Sequence, residues 1–151
     1  ALINTRQVAD PLENIVVLGD FNAFEFNDGL ADAMNTIVGT PSANNVTAVP
    51  NDGTDLVVTD LTNLSSLAPA ADRYSYTFDG SAQTLDHVLV NAPLITGTAA
   101  RRVEHPRIDA DFAETARNNT STPTRISDHD PVVAYFQVIG LPVELEGFSI
   151  E

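Results

Sequence analysis

Residues 14–23 of the chain read NIVVLGDFNA, an apolar run followed at once by a glycine and two polar side chains. The run at 15–18 predicts a β-strand covered on both faces, and Gly19 is expected to end it just before Asp20 and Asn22. The carboxylate and the amide would then lie at the carboxyl end of a strand, where ligands collect in layered α/β sheets. A carboxylate there can bind a hard cation or accept a proton from water. The same residue types also form ordinary turns, so both interpretations stay open.

The composition is strongly acidic. Seven basic residues stand against twenty-one acidic ones in a chain of 151 residues, which gives a formal net charge of -14. This charge excludes a broad basic surface that would attract a polyanion, so a phosphate-bearing substrate would need a bound cation. The chain has no cysteine, which excludes disulfides and zinc–thiolate sites. The length suits one domain with a core of its own.

The sequence gives weak but consistent information about location. It contains neither a run of 18 apolar residues nor a basic start followed by an apolar run, so no membrane span and no signal peptide are predicted within it. The opening residues, ALINTRQVADP, resemble the interior of a longer protein. We therefore expect an extracellular protein, in keeping with the acidity, whose signal peptide would lie upstream of Ala1.

The first half of the chain predicts short helices around the strand at 15–18. Residues 1–10 are compatible with the end of a helix, and residues 40–55 indicate a long surface loop. Asp28 is expected to cap a helix that ends at Gly39, and a second helix is predicted within 56–67. The apolar positions that support the first of these helices are Leu30, Met34, Ile37 and Val38.

The second half is rich in predicted strands. Residues 73–79 alternate aromatic and polar side chains, and a turn at Asp79 should join them to a partner strand at 83–90, which we expect to be central. A further strand, apolar on both faces, is predicted at 131–139. Residues 101–116 show no core pattern, and residues 140–151 are expected to be a tail or a linker strand.

Three polar pairs border these strands: Asp20 with Asn22, Asp86 with His87, and Asp128 with His129. A four-stranded mixed sheet could bring all three to neighbouring strand ends. A histidine beside a buried carboxylate has its tautomer fixed and its cationic form stabilised, which suits contact with a phosphoryl oxygen. Taken singly, each pair favours a turn cap or an exposed neighbour pair, whereas the three pairs together favour a shared polar site.

Three motifs together carry a resemblance. GDFNA at 19–23, LDHVLV at 85–90 and SDHDPV at 127–132 resemble, in this order, motifs of the endonuclease/exonuclease/phosphatase superfamily, whose fold is that of DNase I. YSYTFDG before LDHVLV is similar to the bacterial secreted extracellular nucleases of that superfamily. The resemblance implies a divalent-metal-dependent phosphodiesterase that hydrolyses DNA or RNA and uses Mg²⁺, or Mn²⁺ or Ca²⁺.

The resemblance also implies a role for each matched side chain. Asp20 would be the metal-linked or water-activating carboxylate, and Asn22 would orient the phosphate. Asp86 would orient His129, which would contact or protonate the scissile phosphate. Asp128 would join Asp20 in binding the divalent ion.

Three further residues near the motifs receive structural interpretations. His87 follows Asp86 on an alternating strand and should point away from it, so it is interpreted as structural. Tyr76 and Phe78 are interpreted as core residues rather than as a platform for base stacking.

The resemblance covers only part of the superfamily domain. The full domain is a four-layer α/β sandwich, and residues 1–139 look like its carboxyl-terminal half, a mixed sheet with helices on one face. No counterpart of the early Asn, the metal-binding Glu or the second catalytic His precedes Asp20. We therefore expect an uncovered sheet face, a possible homodimer through it, and little activity from this chain alone. Two alternatives stay open: a relative acting on a small phosphoester, such as a phosphatase or phospholipase, and a non-catalytic acidic binding module.

Overall fold

A computed structural model describes residues 2–50 and 53–140 of the chain. These ranges form an α+β structure with short helices and antiparallel sheets. Its elements are α1 (Leu2–Ala9), β1 (Val16–Asp20), α2 (Ala33–Val38), β2 (Thr62–Asn63), β3 (Tyr76–Phe78), β4 (Ser81–Gln83), β5 (Asp86–Val90), α3 (Ala92–Thr96), β6 (Thr98–Glu104) and β7 (Val133–Val138). Single turns of 3₁₀-helix lie at Leu64–Leu67, Ala70–Asp72 and Glu114–Ala116.

The β1–β5–β2 sheet is the centre of the fold. Strand β5 lies between β1 and β2, and all five of its residues are buried, which confirms that this strand is central. Every strand pairing in the described ranges is antiparallel, so the predicted mixed sheet is wrong. The chain enters β5 beside the point where it leaves β1, and the two strands therefore run in opposite directions.

The two faces of β5 contact different layers. Leu89 and Val17 lie in a cluster with residues of α1 and α2, while Val88 and Val90 pack with β6, β7 and α3. This division follows from the alternation of side chains along a strand. Because α3 contributes Leu94 to the second cluster, the expectation that helices cover only one face is wrong.

The predicted uncovered face is restricted to strand β1. Val88 and Val90 are buried beneath the two-stranded β6–β7 sheet, whereas Val16 and Leu18 on the same face are 41% and 62% exposed. The two-stranded β6–β7 sheet thus supplies the cover that we expected to be missing over β5. The homodimer through this face stays a prediction.

Helix α2 begins later than the sequence suggests. The Asp28 carboxylate accepts the backbone N–H groups of Leu30 and Ala31 in a turn, so Leu30 precedes the helix and is exposed. The predicted end is confirmed, because Gly39 has a φ of 103° and follows the last helical residue. A Cβ at Gly39 would lie 2.4 Å from the carbonyl oxygen of Val57, so a side chain does not fit there.

Three further element predictions need correction. The helix expected within 56–67 is instead the short strand β2 followed by one 3₁₀ turn. Strand β3 does turn at Asp79, but its partner is β4, because β5 pairs with β1. The stretch at 101–116, where no core pattern was expected, begins with the second half of β6 (Thr98–Glu104), which buries Val103.

Strand β7 confirms the apolar strand expected at 131–139, but its environment differs from the prediction. Within the described ranges it pairs with β6 alone, and it stays partly exposed because one of its faces points away from the core. The predicted tail at 140–151 lies outside the described residues from 141 onward. None of the helices in the described ranges is long and apolar enough to cross a membrane.

Candidate active site

Two carboxylates face each other across the pairing of β1 and β5. Asp20, the last residue of β1, lies directly opposite Asp86, the first residue of β5. Gly19 precedes Asp20 with a φ of 141°, a backbone conformation that favours glycine. Asp86 is buried and Asp20 is exposed, so the pair spans the boundary between core and solvent. The predicted position of Asp20 at the carboxyl end of a strand is confirmed.

His129 is joined directly to Asp86. Its Nδ1 lies 2.7 Å from Oδ2 of Asp86, and both side chains are largely enclosed. A carboxylate oxygen accepts hydrogen bonds, so Nδ1 carries a proton. Nε2 is then the ring nitrogen that can contact a ligand. The expected juxtaposition of Asp86 and His129 is therefore present in the fold.

The segment before β3 holds these two residues together. Ser75 is fully buried, and its hydroxyl accepts the backbone N–H of Asp86 at 3.1 Å. The carbonyl of Ser75 accepts the N–H of Asp130 at 2.7 Å, and Tyr76 forms an isolated antiparallel bridge with His129. One segment thus connects β5 to the histidine loop. Nothing in the sequence marked Ser75, since a lone serine between two tyrosines is an ordinary strand residue.

Asp130 anchors the loop that carries the histidine. Its Oδ1 accepts the backbone N–H groups of Ile108, Asp109 and Ala110 at 3.0, 2.8 and 3.1 Å, and its Oδ2 accepts Nη1 of Arg107 at 2.9 Å. Burial opposes ionisation, but the backbone hydrogen bonds and the arginine outweigh it and lower the pKa of Asp130. The carboxylate is therefore ionised and structural. The sequence placed Asp130 beside the predicted site but gave no hint of its partners.

The site can hold a metal ion. One ligand atom from each of Asp20, Asp86 and His129 lies within 4.8 Å of the other two. Asn22 lies beside this group: its backbone N–H and its Nδ2 donate to the two carboxylate oxygens of Asp20 at 2.8 and 3.2 Å. The two carboxylates and the neighbouring amide offer the oxygen donors that hard divalent cations accept, whereas the imidazole is a donor typical of transition metals.

Asp128 does not belong to this group. Its carboxylate pairs with Nη2 of Arg117 at 3.1 Å on an exposed part of the loop. Burial opposes the shift, but its own backbone N–H, Arg117 and His129 lower the pKa of Asp128. The resemblance implied that Asp20 and Asp128 bind the metal ion, whereas the structure groups Asp20 with Asp86 and His129. Adjacent residues in a loop need not point the same way, which explains the difference.

The three structural interpretations have mixed outcomes. His87 is fully buried on the opposite face, where Nε2 lies 2.8 Å from the carbonyl oxygen of Ala23 and Nδ1 lies 3.0 Å from the Ser65 hydroxyl. Its structural interpretation agrees with this geometry. Phe78 is more than half exposed, so the prediction of a core residue is wrong there. Tyr76 is half-buried against the site histidine.

His105 is a buried histidine that the sequence did not single out. Its Nε2 lies 3.2 Å from the backbone carbonyl of Asp86, so the neutral ring donates to the strand that carries the site. It also lines a cavity of about 590 Å³ that does not include Asp20 or His129. Burial lowers the pKa of His105 from its ordinary value of 6.5.

This histidine predicts a pH-dependent stability. Because the folded state disfavours the protonated ring, the unfolded chain binds more protons below about pH 6.5, and stability falls as pH drops through that value. We expect the urea-unfolding free energy to decline between pH 7 and pH 5 in the wild type, and to decline less in His105→Gln. Parallel declines in the two proteins would show that His105 does not carry the effect.

Comparisons with known proteins return no match. No protein-family model matches the sequence, and neither curated proteins nor solved structures contain a match. Evidence on function therefore comes from the geometry of the site and from the motifs in the sequence.

Proposed function

We propose that this chain carries part of the active site of a divalent-metal-dependent phosphodiesterase, an extracellular endonuclease acting on DNA or RNA. The observation that carries the proposal is the convergence of Asp20, Asp86 and His129. These residues come from three segments that are distant in sequence, and each belongs to a motif that resembles the endonuclease/exonuclease/phosphatase superfamily. We further propose that the fold is half of a DNase I-like sandwich.

The side chains support distinct roles in phosphodiester hydrolysis. Asp86 holds the Nδ1–H of His129 through the 2.7 Å hydrogen bond and stabilises the imidazolium. Nε2 of His129 then contacts or protonates a phosphoryl oxygen, or takes a proton from water. Asp20 and Asp86 would hold Mg²⁺ or Mn²⁺, with Asn22 orienting the phosphate. When bound, the ion would supply Lewis-acid stabilisation of the charge on the phosphoryl oxygens.

The pairing of β1 and β5 also favours a bound cation. Like charges directly opposite each other on neighbouring strands destabilise the pairing. Asp20 and Asp86 occupy opposite positions, and a divalent cation would relieve their repulsion. Cation binding and folding should therefore be coupled.

Metal binding is expected to raise the melting temperature. A ligand present at ten times its Kd stabilises a folded protein by about 1.4 kcal/mol, or about 3–6 °C for a domain of this size. Thermal melts with MgCl₂ or MnCl₂ should show this rise in the wild type, and a smaller one in Asp20→Asn. Asp10→Asn is a matched control at the end of α1, because the new side chain can still accept the N–H of Leu12. Equal rises of the melting temperature in Asp20→Asn and Asp10→Asn would show that Asp20 does not bind the metal.

The activity itself is tested with chelation. We expect a DNA oligonucleotide and bis(4-nitrophenyl) phosphate to be hydrolysed slowly by this chain, and faster by a longer protein containing it that supplies further ligands. EDTA should abolish hydrolysis and excess Mg²⁺ or Mn²⁺ should restore it. Metal binding without hydrolysis in either protein would favour the non-catalytic binding module. Hydrolysis restricted to small phosphomonoesters would favour a phosphatase.

A further inference from the structure

Three aromatic rings form a continuous stack that begins at the site histidine. The rings of His129 and Tyr76 have centroids 4.6 Å apart and planes inclined by 26°. The rings of Tyr76 and Phe78 follow at 6.4 Å and 18°. Tyr76 and Phe78 lie on the same face of β3 because they are two residues apart. The stack therefore runs from the catalytic centre outward along a strand.

The outer end of this stack is open to solvent. Phe78 is 56% exposed, at the last position of β3 before the turn at Asp79. A single exposed apolar side chain is common on protein surfaces. Phe78 differs from such a residue because its ring is nearly parallel to a second ring that is itself packed on His129. The Phe78 ring therefore presents a flat surface that is stacked, through Tyr76, on the imidazole of His129.

The charge of the chain indicates which part of a nucleic acid such a surface would contact. With a net charge of -14, the protein repels phosphates except where a cation is bound. The arginines nearest in sequence to the histidine loop are already paired: Arg107 with Asp130, and both Arg117 and Arg125 with Glu114. Binding energy for a strand must then come largely from its uncharged part, which is the base.

We infer that Phe78 is a base-stacking subsite of the proposed phosphodiesterase, and that the substrate class is single-stranded nucleic acid. The inference rests on the proposed function and adds the substrate's form to it. Both faces of a base inside a duplex are covered by its neighbours, so only an unpaired or extruded base can stack on a protein ring. A base on Phe78 would be separated from the His129 ring by Tyr76, so the phosphate that reaches the carboxylates would belong to a neighbouring nucleotide of the same strand.

Binding experiments on the 151-residue chain test this inference without requiring turnover. The probe is a fluorescein-labelled ten-nucleotide oligo(dT) with phosphorothioate linkages, compared with an abasic strand of the same length, both in MgCl₂. Removing a stacking ring typically weakens binding about 5- to 150-fold, so we expect such a loss for Phe78→Ala on oligo(dT) and none on the abasic strand. Phe26→Ala is the matched control, since Phe26 is also 56% exposed and also stacked, but on Phe24.

A second variant gives a direct signal of stacking. The chain contains no tryptophan, so Phe78→Trp introduces a single reporter that retains a flat ring. Its fluorescence should be quenched by oligo(dT) and not by the abasic strand. Equal quenching by both strands, or equal losses of oligo(dT) binding in Phe78→Ala and Phe26→Ala, would overturn the assignment of Phe78 as a base-stacking subsite.

The two proposals can fail separately. Base-dependent binding through Phe78 in a protein that hydrolyses no phosphodiester would overturn the proposed function alone. Metal-dependent hydrolysis with unchanged oligo(dT) binding in Phe78→Ala would overturn the base-stacking subsite alone.

Discussion

His129→Ala is expected to lower the turnover number for phosphodiester hydrolysis at least about 100-fold, because a positioned acid or base contributes about 10²- to 10⁴-fold. The substitution removes the imidazole that Asp86 holds at 2.7 Å. Folding should change little, since the loop that carries His129 is anchored by the neighbouring Asp130. Initial rates on bis(4-nitrophenyl) phosphate, measured on an active protein that contains this chain, give the result.

Two further variants of the same protein are compared with His129→Ala. Asp86→Asn retains a side chain of the same shape but cannot stabilise the imidazolium, so its turnover should also fall. Thr122→Ala alters an exposed hydroxyl before the histidine loop and should leave turnover unchanged. Near-normal turnover in a folded His129→Ala protein would exclude the histidine from the chemistry.

Asp130→Ala is expected to destabilise the fold by about 3–5 kcal/mol, the usual cost of removing one partner of a buried ion pair. Asp130 is 0% exposed, and its loss would leave three backbone N–H groups without their acceptor and Arg107 without its ion-pair partner. Urea unfolding measures the loss. If the alanine protein does not fold, Asp130→Asn retains one oxygen acceptor and should show a smaller loss.

The chain offers a close control for this prediction. Asp128 lies two residues before Asp130 in the same loop. It is also paired with an arginine, Arg117, but that pair is exposed. Exposed pairs contribute about 0–1 kcal/mol, so Asp128→Ala should cost little. Similar losses in Asp128→Ala and Asp130→Ala would contradict the assignment of Asp130 as the anchor of the loop.

Much of the sheet was predictable because apolar strands leave a clear pattern. The runs at 15–18 and 85–90 indicated β1 and a central β5, and both are present. The pairing of these strands was not predictable, since it depends on contacts between residues far apart in sequence. Strand β6 escaped notice because it is an edge strand with only a few buried side chains, so its composition is polar.

The types of side chain at the site were predictable, whereas the contacts that hold them in place were less so. Acid, amide and imidazole side chains next to apolar strands indicated Asp20, Asn22, Asp86 and His129, and the fold brings these residues together. The direction of the Asp128 side chain depends on a loop conformation that local sequence does not determine. The same is true of the buried contacts of Arg107.

The register of β1 against β5 determines both the packing of the core and the position of the carboxylate pair. Side chains alternate between the two faces of a strand, so a slip of one residue would exchange those faces along its whole length. Asp20 would then lie opposite Leu85 or His87 instead of Asp86, and Val17 would no longer lie opposite Leu89. A single-residue insertion or deletion in either strand would therefore disrupt the core and the carboxylate pair together. In descendants of this chain we expect length changes to accumulate in the loops, and the two strands to retain their lengths as long as the protein folds.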